Sequence, residues 1–351
     1  MIQLCLGLIL VSFVVNSIAI VPFINFLYRR KFVRKVALVG EGDKKVSTAM
    51  LEIEKRHDLK AGTPIGGGII GLAVTVTLYL LFVFLLKWAT PVDAVYSFMD
   101  EVHILVLAFL GFGALGFLDD WTKIFGKPRI GMVGAVFGVS GRIKFILQWA
   151  VGLVVATLLY FNLGLDFIHV PLTSIVIHLG VLFIPFAAFV VVSFSNAINV
   201  TDGLDGLSVG LLLIALLAFM LVAFSALDMP VAIFLAVWVG ALIAFLYFNV
   251  YPARIWLGDT GALAFGAMLG LVGLMTGKVF ALVFIGGIFV VEIISSFSQM
   301  ASLKFFKKKI FPIAPLHHAF ETIGWPEPKI VMRAWLAGIV LAIVGLWLAL
   351  G

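Results

Sequence analysis

Ten long apolar stretches constrain the fold of this chain more than any other feature. A helix needs about 20 predominantly apolar residues to cross a bilayer, and ten segments of the 351-residue chain approach or exceed this length. The predicted spans are, in chain order, Leu4–Leu27, Gly67–Leu86, Val102–Leu118, Ile143–Leu165, Ser174–Phe194, Leu207–Ala226, Val231–Val250, Ala262–Thr276, Phe280–Met300 and Val331–Leu350. The eighth is short, and only Gly277 and Lys278 separate it from the ninth. The sequence therefore predicts an all-α integral membrane protein that forms a single polytopic membrane domain over residues 1–351.

The composition agrees with a membrane protein and excludes several other classes. Hydrophobic residues make up 63% of the chain and charged residues 12%, whereas soluble proteins are about 45–50% apolar and about 25% charged. A soluble enzyme, a disordered chain and a nucleic-acid-binding domain are therefore excluded, and no nucleic-acid partner is expected. The first span lacks a basic leader, so we interpret it as a retained helix and not as a signal peptide.

Basic residues in the loops predict the orientation of the spans. Of the 24 Lys and Arg residues, 22 lie in the loops that follow the odd-numbered spans or beside those loops, and only Lys87 and Lys278 lie on the opposite face. The positive-inside rule assigns the basic face to the cytoplasm. Both termini are then outside, and the two longest polar stretches, residues 28–66 and 301–330, are predicted to be cytoplasmic loops.

The same face collects most of the polar residues that could carry chemistry. These are Asp119 and Asp120 after span 3, Asp202 and Asp205 after span 5, Asp259 before span 8, and His317 and His318 in the last cytoplasmic loop. Carboxylate ligands suit Mg²⁺ or Mn²⁺ better than zinc, and the single cysteine, Cys5, allows no thiolate cluster. Cations near the aspartate pair could neutralise anionic oxygens; they are Lys123, Lys127, Arg129, Arg142 and Lys144. Together these residues indicate chemistry on a phosphate that is carried by a lipid.

Each of these motifs taken alone also has a purely structural interpretation. Asp119-Asp120 could cap a helix or end one in solvent, the two Asp-Gly pairs are common in turns, and adjacent histidines are common on surfaces. The Gly66–Gly68 run could cradle a phosphate or simply begin a helix. Glu292 inside the ninth span is either functional or a partnered polar contact within the bundle.

Longer motifs in a fixed order resemble one enzyme family. They begin with His57-x-x-Lys60-x-Gly62-Thr63-Pro64, the run from Phe117 to Lys123, and the run from Asn196 to Gly206. They continue with Asn249-x-Tyr251-Pro252-Ala253, Gly258-Asp259-Thr260-Gly261, the run from Ala314 to Glu321, and Gly324-Trp325-Pro326-Glu327. The chain resembles the polyprenyl-phosphate N-acetylhexosamine-1-phosphate transferases over about residues 57–333, and within them the branch that acts on muramoyl-pentapeptide.

The resemblance implies a fold and a reaction. It implies ten membrane helices, both termini outside and an active site at the cytoplasmic face of a bacterial inner membrane. The implied reaction is Mg²⁺-dependent transfer of phospho-N-acetylmuramoyl-pentapeptide from its UDP conjugate to undecaprenyl phosphate, which yields lipid I and UMP for peptidoglycan synthesis. Since some members of the family are dimers, a homodimer is expected.

The resemblance also implies roles for individual residues. It implies a catalytic group of Asp119, Asp120, Lys123, Asp259 and His317, in which Asp259 binds the metal. It implies substrate-binding residues Lys60, Asn199, Asp202, Gly203, Leu204, Asp205, Asn249, Trp256 and His318. We expect Mg²⁺ on Asp259 to stabilise the leaving UMP and Asp119 to deprotonate or orient the lipid phosphate. A direct transfer and a two-step route through an aspartyl-phosphate both stay open.

Two departures from the family pattern leave the sugar substrate open. Ala319 follows His317-His318 where the muramoyl branch usually has a third histidine, and Ile65 replaces the usual polar residue after Pro64. An enzyme that uses another UDP-N-acetylhexosamine is the main alternative. A non-enzymatic alternative is an ion-coupled transporter in which Glu292 and His178 form a relay within the membrane.

Overall fold

The computed structural model describes residues 1–33, 60–89, 94–126, 139–173 and 175–351. His57 of the first motif and the cations Lys127 and Arg129 lie outside these residues. The helices are α1 (Ile2–Arg29), α2 (Gly67–Ala89), α3 (Phe98–Phe125), α4 (Gly141–Leu163), α5 (Phe183–Thr201), α6 (Leu207–Ala226), α7 (Met229–Asn249), α8 (Gly258–Met275), α9 (Val279–Ile285), α10 (Gly287–Phe305), α11 (Leu316–Thr322) and α12 (Glu327–Leu350). A short antiparallel hairpin, β1 (Phe167–His169) and β2 (Val176–His178), separates α4 from α5.

Ten of these helices within the described residues are long and apolar enough to cross a membrane, which confirms the predicted all-α membrane fold. The short eighth predicted span is confirmed as α8, which lies at the centre of the bundle and packs against α3 and α5. Every residue from Thr260 to Met275 is buried. The helix can pack this closely because Gly and Ala recur along it, and small residues allow neighbouring helix backbones to approach.

Several span boundaries differ from the prediction, and the differences matter for the site. The aspartate pair at 119–120 was expected to open a loop, but α3 continues to Phe125. Likewise, residues 195–201 were assigned to the loop after span 5, but they form the last two turns of α5. Hydropathy ends a span at the first charged or strongly polar residues, whereas helical hydrogen bonds continue into the polar region beyond them. Both motifs are therefore held on rigid helix ends.

The predicted loop 301–330 contains helical structure, and the ninth span is divided. α10 continues to Phe305, α11 lies within this segment, and α12 begins at Glu327. Helical geometry is interrupted at Gly286, so the predicted span Phe280–Met300 becomes the short α9 and the longer α10.

The prediction for His178 was wrong. It was placed within the fifth span, but it ends β2 in the hairpin before that span, and its exposed ring contacts Asp166 at 3.1 Å. Residues 175–179 are apolar apart from His178, and this composition concealed the hairpin. The transporter relay that required His178 within the membrane is therefore not formed.

Candidate active site

Two aspartates and two lysines form the first part of the site, which we name the carboxylate–lysine cluster. Asp119 and Lys123 lie one turn apart near the end of α3, Lys144 lies in the first turn of α4, and Asp259 lies in the first turn of α8. Lys123 Nζ contacts Asp119 Oδ2 at 3.0 Å and Asp259 Oδ2 at 2.8 Å. Lys144 Nζ contacts Asp119 Oδ2 at 2.7 Å and also pairs with Asp259 Oδ2. One oxygen of each carboxylate is therefore shared by both ammonium groups.

The cluster has balanced charge and is largely shielded from solvent. The side chain of Asp119 is 2% exposed and that of Asp259 is 13% exposed, whereas Lys123 is 31% exposed. The second oxygen of Asp119 accepts a hydrogen bond from the Val139 N–H at 2.8 Å. Two carboxylates held this close together can bind a divalent cation, and two lysines beside them can bind phosphate oxygens.

Asp120 has a different position from its neighbour, because it caps α8. Its Oδ1 accepts from the Asp259 N–H at 2.9 Å, and its Oδ2 accepts from the Thr260 N–H at 2.8 Å and the Thr260 hydroxyl at 2.6 Å. No side chain next to the start of α8 caps this helix. A carboxylate here satisfies free N–H groups and interacts favourably with the helix dipole. Asp120 thus fixes the start of α8 and, with it, the backbone of Asp259.

Four residues form the second part of the site, which we name the Lys60 cluster. Lys60 Nζ contacts Asp205 Oδ1 at 2.8 Å and Glu327 Oε1 at 2.6 Å. Asp205 Oδ1 also accepts from Trp256 Nε1 at 3.2 Å, and its Oδ2 accepts from the Ala253 N–H at 2.9 Å. Lys60 Nζ lies 5.8 Å from the centre of the Trp256 ring, within the range of a cation–π contact.

Asp202 lies between the two clusters at the end of α5. Its carboxylate accepts a hydrogen bond from the Ser208 hydroxyl. Burial, together with the negative charges of Asp259, Asp120 and Asp205, raises the pKa of Asp202 to about 7, although the hydrogen bond from Ser208 opposes this shift. The aspartates of three separate segments therefore lie close enough to influence one another.

His317 joins the site from α11 through a contact with α10. Its N–H and its ring Nδ1 contact the Glu292 carboxylate at 3.1 and 3.2 Å. Burial lowers the pKa of His317, although the bond to Glu292 opposes this change. The buried Nε2 has no hydrogen-bond partner among the described residues, and it lies where a side chain at Gly203 would be. Glu292 is thus a partnered group that orients His317.

The remaining predicted residues surround these groups. Asn249 is buried and donates from Nδ2 to the Ile255 carbonyl at 2.9 Å, which braces the turn before α8. Leu204 is buried, and His318 Nδ1 contacts Glu321 at 2.6 Å. Asn199 is half-buried on the last turn of α5, and its side chain makes no hydrogen bond to the described part of the chain.

The glycine run at 66–68 begins a helix, which decides between its two interpretations. The Gly67 and Gly68 N–H groups donate to the Trp256 and Leu257 carbonyls, both at 2.8 Å. A side chain at Gly68 would collide with the backbone of Gly261. The run therefore packs α2 against the start of α8 and has no amide at 67 or 68 left for a phosphate.

Comparisons with known proteins identify the family of this chain. Residues 102–277 match the model of glycosyl transferase family 4. The chain belongs to this family. It is 37% identical to a phospho-N-acetylmuramoyl-pentapeptide-transferase from Halalkalibacterium halodurans over 97% of this chain and 96% of the relative. It is 35% identical to a protein of the same name from Bacillus subtilis over 99% of this chain and 98% of the relative. The chain is therefore a multi-pass membrane enzyme that transfers a phospho-sugar.

Four residues of the site were not predicted as site residues from the sequence: Lys144, Thr260, Glu292 and Glu327. Lys144 was one of five cations near the aspartates, and the pattern gave no reason to select it. Thr260 and Glu327 stand in the motifs that carry the family resemblance, which was the available signal. Their partners lie far away in sequence, so only the fold reveals the contacts: Asp120 for Thr260, and Lys60 for Glu327.

Proposed function

We propose that this family 4 enzyme transfers phospho-N-acetylmuramoyl-pentapeptide from its UDP conjugate to undecaprenyl phosphate, releasing UMP and forming lipid I. The proposed setting is the cytoplasmic face of a bacterial inner membrane, as the basic loops predict, and a homodimer is expected. The observation that carries the proposal is that the carboxylate–lysine cluster and the Lys60 cluster meet at the start of α8, where Asp259 lies in the first turn and Trp256 lies just before it. The carboxylate–lysine cluster suits phosphates, and the Lys60 cluster suits a nucleoside.

The residues of the carboxylate–lysine cluster fit Mg²⁺. This ion typically takes one or two carboxylates and completes its shell with water and substrate phosphates. Asp259 is the proposed ligand, and Asp119 is close enough to share two ammonium partners with it. When bound, Mg²⁺ would neutralise charge on the diphosphate and so favour departure of UMP.

The side chains of the same cluster are proposed to position the reacting phosphates. Lys123 and Lys144 can bind phosphate oxygens once the carboxylates no longer hold both ammonium groups. Asp119 would orient or deprotonate the lipid phosphate, whose oxygen then attacks the sugar-linked phosphorus. Positioning and charge neutralisation supply most of the rate enhancement in phosphoryl transfer. His317 would place the phosphates: because its Nδ1 donates to the Glu292 carboxylate, Nε2 of the neutral ring accepts a hydrogen bond, and it donates one only when the ring is protonated.

The Lys60 cluster and its surroundings are proposed to bind the uridine. The Gly203–Asp205 loop lies beside Lys60 and Trp256, which offer an ammonium donor and an aromatic face. Asp202, Asn199, Asn249 and His318 are proposed to complete the substrate site around it, with Asn249 acting through the turn that it braces.

The test is UMP release by the purified enzyme from UDP-MurNAc-pentapeptide and UDP-GlcNAc in parallel, with undecaprenyl phosphate and with or without Mg²⁺. We expect release from the first substrate only, and only with Mg²⁺. Asp259→Ala should abolish this release. Asp166→Asn is the matched control, because Asp166 pairs with His178 in the hairpin and its loss should leave the rate unchanged. Near-normal release by Asp259→Ala would refute the metal assignment.

A related transferase for another UDP-N-acetylhexosamine is the second candidate, favoured by Ala319. This residue lies in α11 directly after the two histidines, so the family's third imidazole is absent from the site. Release of UMP from UDP-GlcNAc in place of the muramoyl substrate would establish this alternative, and release from neither would contradict both proposals.

A further inference from the structure

Glu327 is a buried carboxylate of the Lys60 cluster. The proposed transfer reaction assigns it no role. It is the first residue of α12, and its side chain is 10% exposed. Its Oε1 accepts from Lys60 Nζ at 2.6 Å and from the backbone N–H of Asp205 at 2.5 Å. A single oxygen of the last helix thus joins two segments that are 145 residues apart.

The position of Glu327 makes this contact firm. A carboxylate in the first turn of a helix is stabilised by the free N–H groups and the dipole of that helix, and Pro326 and Pro328 flank it with fixed backbone angles. Farther along the same helix, Trp335 Nε1 donates to the Gly206 carbonyl at 3.2 Å, at the end of the same loop. α12 therefore holds the 202–206 loop at two points.

The other members of the Lys60 cluster depend on Glu327 for their arrangement. Asp205 already uses both oxygens, for Lys60, Trp256 and the Ala253 N–H. Without Glu327, the Asp205 N–H would lose its acceptor and the Lys60 ammonium would keep one of its two carboxylate partners. A buried donor without an acceptor costs more than a typical hydrogen bond contributes, so Lys60 and the loop would both rearrange.

We propose that Glu327 is a positioning residue for nucleotide binding, which sets Lys60 and the Asp205 backbone in the geometry that accepts the nucleoside of the UDP-sugar. This inference rests on the proposed function, in which the Lys60 cluster binds uridine. Glu327 acts through Lys60 and the loop and not on the reacting phosphates. Its loss should therefore weaken binding of the nucleotide and leave the chemical step nearly unchanged.

The experiment measures binding of UMP, with MgCl₂ present, to the full-length enzyme in detergent, together with KM and kcat for UMP release. Glu327→Gln keeps an acceptor for the Asp205 N–H but removes the charge that faces Lys60. We expect its Kd for UMP and its KM to rise about ten- to hundredfold, as for the loss of one hydrogen bond to a charged group, with kcat within about twofold. Lys329→Gln is the matched control, because Lys329 is exposed two residues later and contacts the Trp325 ring.

A double-mutant cycle separates positioning from general damage. If Glu327 acts through Lys60, then Glu327→Gln should weaken UMP binding far less in a Lys60→Met background than in the wild type. Equal UMP affinity of Glu327→Gln and wild type would overturn the inference while the proposed function stands. Purely additive effects, or a fall in kcat at unchanged KM, would also overturn it. Failure of the wild type to bind UMP would instead refute the proposed function.

Discussion

Gly116 offers the sharpest test of how the fold builds the site, because it lies where α3 crosses the first turn of α8. A Cβ atom at this position would overlap the carbonyl group of Asp259 and lie 2.6 Å from Thr260 Cα. Asp119 and Asp120 follow three and four residues later, on the same face of α3. Gly116→Ala must therefore move α3, which carries Asp119 and Lys123, away from α8, which carries Asp259.

The size of the effect follows from the atoms involved. An ordinary contact to a Cβ atom is about 3.5–4 Å, so the two backbones would have to separate by roughly 1 Å. Overpacking of this kind costs about 1–3 kcal/mol, and the higher helix propensity of alanine offsets up to about 1 kcal/mol of it. A displacement of about 1 Å at the reacting groups can lower the rate about 100-fold. We therefore expect a small change in stability and a large loss of activity.

The assay combines UMP release with the melting temperature of the enzyme in detergent. Gly111→Ala is the control on the same helix, because a Cβ there meets only the Val151 Cγ1 methyl at 2.9 Å, and this methyl can move. We expect Gly111→Ala to keep wild-type activity and a melting temperature within a few degrees. Wild-type activity in Gly116→Ala would refute the close approach of α3 and α8 as the feature that positions Asp119 against Asp259.

Three further substitutions test single groups. Asp120→Asn should lower the melting temperature and the rate of UMP release together. The asparagine side chain keeps only one oxygen that can accept from the Asp259 N–H, the Thr260 N–H and the Thr260 hydroxyl. A loss of rate with no loss of stability would argue against a capping role. Glu292→Gln should lower kcat about tenfold, since it removes a hydrogen bond between His317 and a charged group; an unchanged kcat would contradict this. Asp202 binds its proton more tightly when folded, so the melting temperature of the wild type should fall as pH rises from about 4 through about 7. Asp202→Asn should flatten this fall, and an equally steep fall in the variant would refute the assignment.

Much of the fold could be predicted because the membrane imposes a simple rule on sequence. The unbroken apolar run 207–226 and the helix α6 agree residue for residue. The prediction was wrong where helices leave the apolar region, as at Asp119, because the charged residues that end a hydropathy window do not end helical hydrogen bonding. At His178 the failure had another cause, since a strand of three residues is too short to stand out from the apolar span that follows it.

The roles of individual aspartates could not be predicted, because each depends on a partner distant in sequence. Asp119 and Asp120 are adjacent, yet one faces Lys123 and Lys144 and the other caps α8. Successive residues of a helix point about 100° apart. Two adjacent residues at a helix–helix contact therefore meet different neighbours. Which aspartate meets the lysines depends on the rotation of α3 against α8, and the sequence does not reveal this rotation.

The charges of the two clusters explain why a site built this way should require a cation. The carboxylate–lysine cluster contains two acids and two bases, and the Lys60 cluster contains Asp205 and Glu327 against one lysine. The described clusters therefore carry no net positive charge to offset the diphosphate of a UDP-sugar and the phosphate of a lipid. Lys123 and Lys144 can contact these phosphates only by weakening their bonds to Asp119 and Asp259, which leaves two buried carboxylates without compensation. A divalent cation that replaced the lysines at these carboxylates would remove that penalty and would free both lysines for the phosphates.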